Sequence, residues 1–553
     1  MTSSASPVAG CGPSPWDRAS LSIVVSLCAA KALVHLALVN QYGYHGDELY
    51  FIECGRRLAF GYVDHPPLIP WIARASDLFG GSLFALRIPA IGAGVGTMVF
   101  AALLVREWGG GWRAQLLTLL CLLGAPAHLR MAAMLDIPVV EVFLCTVAAY
   151  LVTRAVSRRE RWTWVIAGAA LGFAVLAKHS SLLWGGALVF GLVAARGPQA
   201  LASRWPWLGA AVAGSLIVPN LVWEADHGWV MFEFMATARR EVLAVQGRGL
   251  FAAGQLLYFH PLAAPVWIAG VVFAFTHRGR VALPFALLFL AMFLFLLVVG
   301  GKPYYLASAY PAVLAAGGIA LERWLEGRAA AWRGLLASLM MTGAAFAALS
   351  LPLLRIETAD SAIGALFGWV VPPMALTHDM HGMYGWEEHA ATIERVYRSL
   401  PANERSRASI LAGSYSQAAA VNVLGKEAIP RAVSGHMTYY LWGPEGGRGD
   451  VLIAYGVPRE LLERHYGTCG ESARIEAPRA RPWDTDLPVY VCREPSGTMA
   501  ELWPEVRRLG TAPLAPRPVG AAKRPARSER VEPARLRPLR EIRSVESPSG
   551  LVP

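Results

Sequence analysis

Charge is what this sequence has least of. Only 16% of its 553 residues are Asp, Glu, Lys or Arg, against about 25% in an ordinary soluble domain. That deficit excludes a water-facing surface wrapped around a single core. Nucleotide signatures are missing too. There is no GxxxxGK[ST] phosphate loop, no GxGxxG following a strand and no HExxH, so no nucleotide cofactor is expected. The net charge of +11 comes without aromatic-interleaved basic motifs, so nucleic acid is not an expected partner. Seven cysteines include no CxxC and no metal-type Cys/His spacing. Cys28, Cys121 and Cys145 lie in apolar runs, where a thiol behaves as a small hydrophobe. Cys469 and Cys492 lie near the C-terminus, and both a bridge and two free thiols fit the sequence.

What is present is apolar: 55% of residues, with a mean hydropathy of +0.41. Runs such as 116–123, 137–152, 164–177, 182–195, 208–218 and 283–299 hold almost no charge. A membrane-crossing helix needs roughly 17–25 mostly apolar residues, and on that scale about ten to twelve spans are expected between residues 20 and 353. The polar start of the chain has no convincing cleavage site, so the stretch from Leu21 to Val39 reads as a retained first span. Basic residues fall in every second connection: Arg106 and Arg113; Arg154, Arg158, Arg159 and Arg161; Arg196 and Arg204; His277, Arg278 and Arg280. By the positive-inside rule those connections face the cytoplasm, and the others face out. The expected fold is therefore an all-α polytopic membrane bundle with a small C-terminal extracytoplasmic α/β domain, in the inner (plasma) membrane. The expected divisions are a cytoplasmic N-terminus (1–19), the membrane domain (20–353), the soluble domain (354–495) and a Pro/Arg-rich disordered tail (496–553). In the soluble part ERVYRSL reads as helix, while SILAG, DVLIAYG and LPVYVCRE read as buried strands.

The first outward loop is the most informative stretch. Leu68, Trp71, Ile72, Ala75, Leu78 and Phe79 share one helical face, and 47–60 is similarly mixed. Neither piece is long enough to span, so both are expected as interfacial helices over the bundle, in contact with membrane lipids. Asp47 and Glu48 stand side by side at the start of this loop. One reading makes Asp47 the cap of a helix beginning at Glu48, with both acids favoured by the helix dipole. The other makes the pair part of a polar site. Asp64 and His65, set before two prolines, add a second acidic group. It is either a turn-forming acid or one side of a site holding a divalent cation or dividing base and ligand roles.

Asp136 begins the next outward-starting span, at a depth where an acid is costly; it is also placed to cap a helix whose second residue is Pro138. Glu141 lies deeper on the same helix. Lys178 marks one outward turn and Lys302 another, the latter followed by Tyr304 and Tyr305. Lysines converging among tyrosines suit an anionic lipid head, and equally suit ordinary snorkelling at an interface. With no cytoplasmic nucleotide-sugar on the outer side, an enzyme there needs a donor carried across on a lipid.

The order GDELY, GYVDHPPL, LDIPVV, LAKHSSL and KPYYLASAYP resembles the GT-C class of lipid-phosphate-sugar glycosyltransferases. It is similar to bacterial members of the superfamily that contains dolichyl-phosphate-mannose protein mannosyltransferases and the aminoarabinose transferase of lipid A. The likeness spans about residues 20–320, and GSYSQAAAVNVLG and SGHMTYYLWGP resemble the soluble domain of bacterial members. The resemblance implies transfer of a sugar from a polyprenyl-phosphate donor to a hydroxyl of a glycan, lipid or protein acceptor, generally with inversion. Asp47 then matches the acid that activates the acceptor hydroxyl. Glu48, His65, Asp136, Tyr304 and Tyr305 line the substrate site, and Lys178 and Lys302 neutralise the departing phosphate. Asp64-His65-Pro66 resembles an acid-Lys-Pro motif implicated in metal binding, with His in place of Lys. His260 stands where the family has a downstream histidine, so Asp64 and His260 are the expected metal ligands. A secondary transporter or flippase for an anionic lipid or sugar is the alternative; it predicts ionisable groups at mid-membrane and repeated halves.

Overall fold

The computed structural model describes residues 17–510, except 246, 369–372, 427–428, 446 and 448. The expected N-terminal segment up to residue 16, and the tail from 511, lie outside the described residues.

Among the described residues, six helices are long and apolar enough to cross a membrane: Arg18–Leu38, Leu83–Glu107, Ile137–Ser157, Arg204–Asp226, Pro303–Trp324 and Ala329–Ser350. A seventh candidate is the pair Arg248–Tyr258 and Pro261–Ala274, bent by 87° at His260. Four shorter apolar helices complete the set: Trp112–Gly124, Trp162–Ala177, Ser181–Arg196 and Leu283–Val299. The chain is a multi-pass membrane protein. Its outer surface keeps Leu33, Ile166, Phe190, Val272, Leu294 and Met341 exposed, as expected where lipid rather than water is the neighbour. The helix packing is close. A Cβ at Gly168 would lie 2.0 Å from the carbonyl oxygen of Gly209, so only glycine permits these two helices to touch there.

Helices α1 (Arg18–Leu38), α2 (Gly46–Arg56), α3 (Leu68–Asp77) and α4 (Leu83–Glu107) carry the first loop. In α3 the buried residues are Ile69, Pro70, Ala73 and Ser76, while Leu78 and Phe79 just beyond it are 84% and 79% exposed. The apolar stripe read from the sequence is divided: Leu68 and Ile72 pack half-buried against the core, while Ala75, Leu78 and Phe79 are exposed, so only its C-terminal end is free to meet lipid. α2 departs from expectation. Every residue from Glu48 to Gly55 is buried, because α2 is roofed by the C-terminal domain rather than by lipid head groups. A Cβ on Gly46 would meet Ser416 and Trp386 at 2.8 Å, so glycine lets the domain settle onto the start of α2.

The C-terminal domain is α/β. Strands β1 (Ala408–Ala412), β2 (Ala432–Ser434), β3 (Val451–Tyr455), β4 (Tyr466–Ile475) and β5 (Leu487–Pro495) form one sheet of order β2-β1-β3-β5-β4. β1 runs parallel to β2 and β3, whereas β5 is antiparallel to both β3 and β4. The three strands read from the sequence are β1, β3 and β5, and ERVYRSL falls in helix Trp386–Ser399. Cys469 and Cys492 face each other across β4 and β5 and are bridged. The folded part continues past Pro495, where the tail is predicted to begin. Residues Met499–Leu502 and Trp503–Val506 are helical, and Met499, Leu502, Trp503 and Val506 are buried in the domain core. Their apolar side chains separate them from the Pro/Arg-rich sequence that follows.

Candidate active site

The two adjacent acids have opposite fates. α2 is capped by His45, not by Asp47. The extended backbone of His45 turns its Nδ1 to accept from the Asp47 N–H at 3.1 Å, while Glu48 Oε2 reaches back to the His45 N–H at 2.8 Å. This reciprocal box satisfies two N–H groups at the helix start and uses Glu48, leaving the Asp47 carboxylate out of the cap. Glu48 is fully buried. Arg87 grips it with Nε at 2.9 Å and Nη2 at 2.7 Å, and the Leu135 N–H adds a bond of 2.9 Å. Arg87 also donates to the carbonyls of Val39 and Gly43. Glu48 thus ties α1, α2, α4 and the segment before Asp136 together. That geometry supports an architectural role instead of the expected substrate contact.

Asp47 is the acid that remains available. Its side chain is 37% exposed, its Oδ1 accepts from the Tyr415 hydroxyl at 2.7 Å, and its Oδ2 lies 3.6 Å from His45 Nδ1. Burial holds the His45 imidazole below its ordinary pKa against the pull of Asp47.

Asp64 sits in the same neighbourhood, accepting from the Tyr50 hydroxyl at 2.8 Å. Burial raises its carboxyl, with the Asp47 charge adding to the effect and His65 and Tyr50 opposing it. His65 is buried in a cage of Tyr50, Phe51 and Tyr62 rings, with Nδ1 2.9 Å from the Pro66 carbonyl oxygen. It reads as a ring that rigidifies the loop, not one that meets substrate. The expected metal pair does not assemble. His260, at positive φ in the bend, hydrogen-bonds Thr342 at 2.8 Å and packs on Phe346, sharing no neighbour with Asp64. Among the described residues no three His, Cys, Asp or Glu side chains group as metal ligands. The donor set does not fit a metal at Asp64 and His260.

Asp136 caps helix Ile137–Ser157, its Oδ1 accepting from the Ile137 N–H at 2.7 Å. Burial first, then the Asp47 and Asp379 charges, push its carboxyl up to about 7, with Lys178 pulling the other way. Asp379 pairs with Arg130 at 3.1 Å and lies 3.3 Å from His378 Nδ1. Burial would raise the Asp379 carboxyl, but the His378 hydrogen bond and the Arg130 charge outweigh it and hold it well below the usual range. Lys178 forms an ion pair with Glu141 at 3.0 Å, and its ammonium stands 4.3 Å from the Tyr305 ring centre and 5.4 Å from that of Tyr304. Burial would lower its pKa, yet Glu141 and Tyr305 keep it above the ordinary value. Lys302 also approaches Tyr304, at 6.0 Å. The two lysines from separate turns do converge, on one pair of tyrosines that meet edge-on at 5.0 Å.

The arrangement is a half-exposed carboxylate at Asp47 linked electrostatically through Asp136 to Lys178, with Lys302 beside the same tyrosine pair. Comparisons with known proteins bear on it. Residues 64–223 match the family model of dolichyl-phosphate-mannose-protein mannosyltransferase. The fold matches the crystal structure of ArnT from Cupriavidus metallidurans bound to undecaprenyl phosphate, with a TM-score of 0.54 at 17% identity, over 85% of this chain and 98% of that one. The apo structure of the same protein matches with a TM-score of 0.55, also at 17% identity, over 86% of this chain and 98% of that one. This chain shares the fold of ArnT. No functionally curated protein sequence matches it. The matched family segment holds Asp64, Asp136 and Lys178 but stops short of Asp47 and of Lys302.

Sequence reasoning missed Tyr415, Asp379, Arg130 and His45. All four are polar residues in unremarkable local contexts, and three of them reach the site from distant parts of the chain. The GSYSQ stretch held the one available signal, through its family resemblance.

Proposed function

We propose that the chain is a membrane glycosyltransferase that moves a sugar from a polyprenyl-phosphate donor to the hydroxyl of an acceptor on the outer face of the inner membrane. The observation that carries this reading is Asp47, an acid freed from the helix cap by His45 and Glu48 and left half-exposed in the acid–lysine cluster. The same fold in ArnT accommodates undecaprenyl phosphate, which supports a lipid-phosphate donor here. Asp47 takes the proton of the acceptor hydroxyl as its oxygen bonds to the anomeric carbon. The bond from that carbon to the phosphate oxygen breaks, and the phosphate leaves with the electron pair. Lys178 and Lys302 offset the charge that develops on it. Attack opposite the leaving phosphate inverts the anomeric centre. No step passes through a metal.

The transporter alternative gains no support from the site, since Asp47, Asp136, Lys178 and Lys302 all stand at helix ends. The test is Asp47→Asn in the purified full chain, given undecaprenyl-phosphate-linked sugars extracted from host membranes. Loss of a positioned base costs about 10²–10⁴ in rate, so release of undecaprenyl phosphate falls by that factor while its binding persists. Wild-type turnover in this variant removes Asp47 as the base.

A further inference from the structure

The C-terminal domain places one hydroxyl on the candidate base. Tyr415 opens the helix Tyr415–Leu424, and its O–H donates to Asp47 Oδ1 at 2.7 Å across 368 residues of sequence. Its ring is held on both sides. It lies 4.5 Å from the ring of Tyr50 in α2 and 4.8 Å from that of His436. His436 is itself immobilised, with Nε2 2.7 Å from the Gly510 carbonyl oxygen and Nδ1 3.0 Å from Arg508 Nη2. Tyr50 mirrors the arrangement, since its hydroxyl donates to Asp64 Oδ1 at 2.8 Å and lies 2.6 Å from Thr438 Oγ1 of the C-terminal domain. Two tyrosines in ring contact, one from each domain, therefore hold one acid each.

We propose that Tyr415 is a positioning residue for the transfer reaction, by which the C-terminal domain fixes the rotamer of Asp47. This rests on the reading of Asp47 as the base. A carboxylate with one oxygen engaged by a rigid donor presents its other oxygen in a single direction. Held in that direction, Oδ2 meets the acceptor hydroxyl without first giving up rotational freedom. The domain is thus part of the active site.

Tyr415→Phe tests this, because it keeps the packed ring and removes only the hydroxyl. Turnover is read as undecaprenyl phosphate released from undecaprenyl-phosphate-linked sugars by the full chain. The expected result is a fall in kcat of about tenfold with little change in KM for the lipid donor, the size of one hydrogen bond to a charged group. His45, Asp64, Asp136 and Arg481 also face Asp47, and Tyr415→Phe leaves all four in place. In an Asp47→Asn background the second substitution adds nothing. An unchanged kcat in Tyr415→Phe, with Asp47→Asn inactive, overturns the positioning role and leaves the base intact. A fall in turnover that only tracks a lowered thermal midpoint makes Tyr415 structural only. An active Asp47→Asn removes the base reading itself.

Discussion

Glu48→Gln separates architecture from substrate contact at the acidic pair. Four donors converge on this carboxylate: Arg87 Nε and the Leu135 N–H on Oε1, and Arg87 Nη2 and the His45 N–H on Oε2. A glutamine has one carbonyl oxygen, so whichever way it is turned, two donors face its NH2 group. Arg87, only 1% exposed, is left buried without a counter-ion. Removing one partner of a buried pair costs about 3–5 kcal/mol, a large share of the roughly 5–15 kcal/mol that holds a typical protein folded. At about 2–4 °C per kcal/mol, the thermal midpoint falls by roughly 10 °C. The assay is thermal unfolding of the purified chain in lipid nanodiscs, followed by tryptophan fluorescence. Asp47→Asn, with its half-exposed carboxylate, serves as the comparison and keeps the wild-type midpoint. Removing both charges with Glu48→Leu and Arg87→Met recovers part of the loss, as apolar replacements of buried pairs do. A Glu48→Gln protein that unfolds at the wild-type midpoint yet has lost transfer would refute the architectural reading and return Glu48 to the substrate site.

Lys178→Met strands Glu141, which is 2% exposed, so both stability and transfer fall. Adding Glu141→Met restores the thermal midpoint but not undecaprenyl phosphate binding, measured by retention of the lipid on the purified protein. Full recovery of binding in the double variant makes Lys178 merely the partner of Glu141. Asp136 supplies a pH dependence. Its carboxyl is raised from 3.8 to about 7, so the folded state binds its proton more tightly than the unfolded chain. The stability it contributes is present in full below pH 3.8 and is lost as pH rises through about 7. Asp136→Asn flattens the midpoint-against-pH curve over that interval; an unchanged slope shows that another group sets it.

The limits of sequence reading here have specific physical causes. Long apolar runs announced the bundle, since about 20 uncharged residues in a row have few other uses. Strands β1, β3 and β5 were legible for a related reason: each is a short run buried throughout or nearly so. Direction was harder to read. The stripe Leu68, Trp71, Ile72, Leu78 and Phe79 meets the core at one end and is exposed at the other, and lipid and core impose the same residue types, so periodicity fixes a helix without saying which part is inside. The acidic pair poses the same problem at higher resolution. Neighbouring residues on a helix point about 100° apart, so one of Asp47 and Glu48 had to turn inward. Which one depends on Arg87 and Leu135, 39 and 87 residues further along. His45 is what decides the cap: because its ring accepts from the Asp47 N–H, the box closes through Glu48 and Asp47 is released. A histidine cap is uncommon enough that sequence patterns favour the aspartate beside it. The role left to Asp47 therefore follows from a residue that looked like spacer, and from a tyrosine in the other domain.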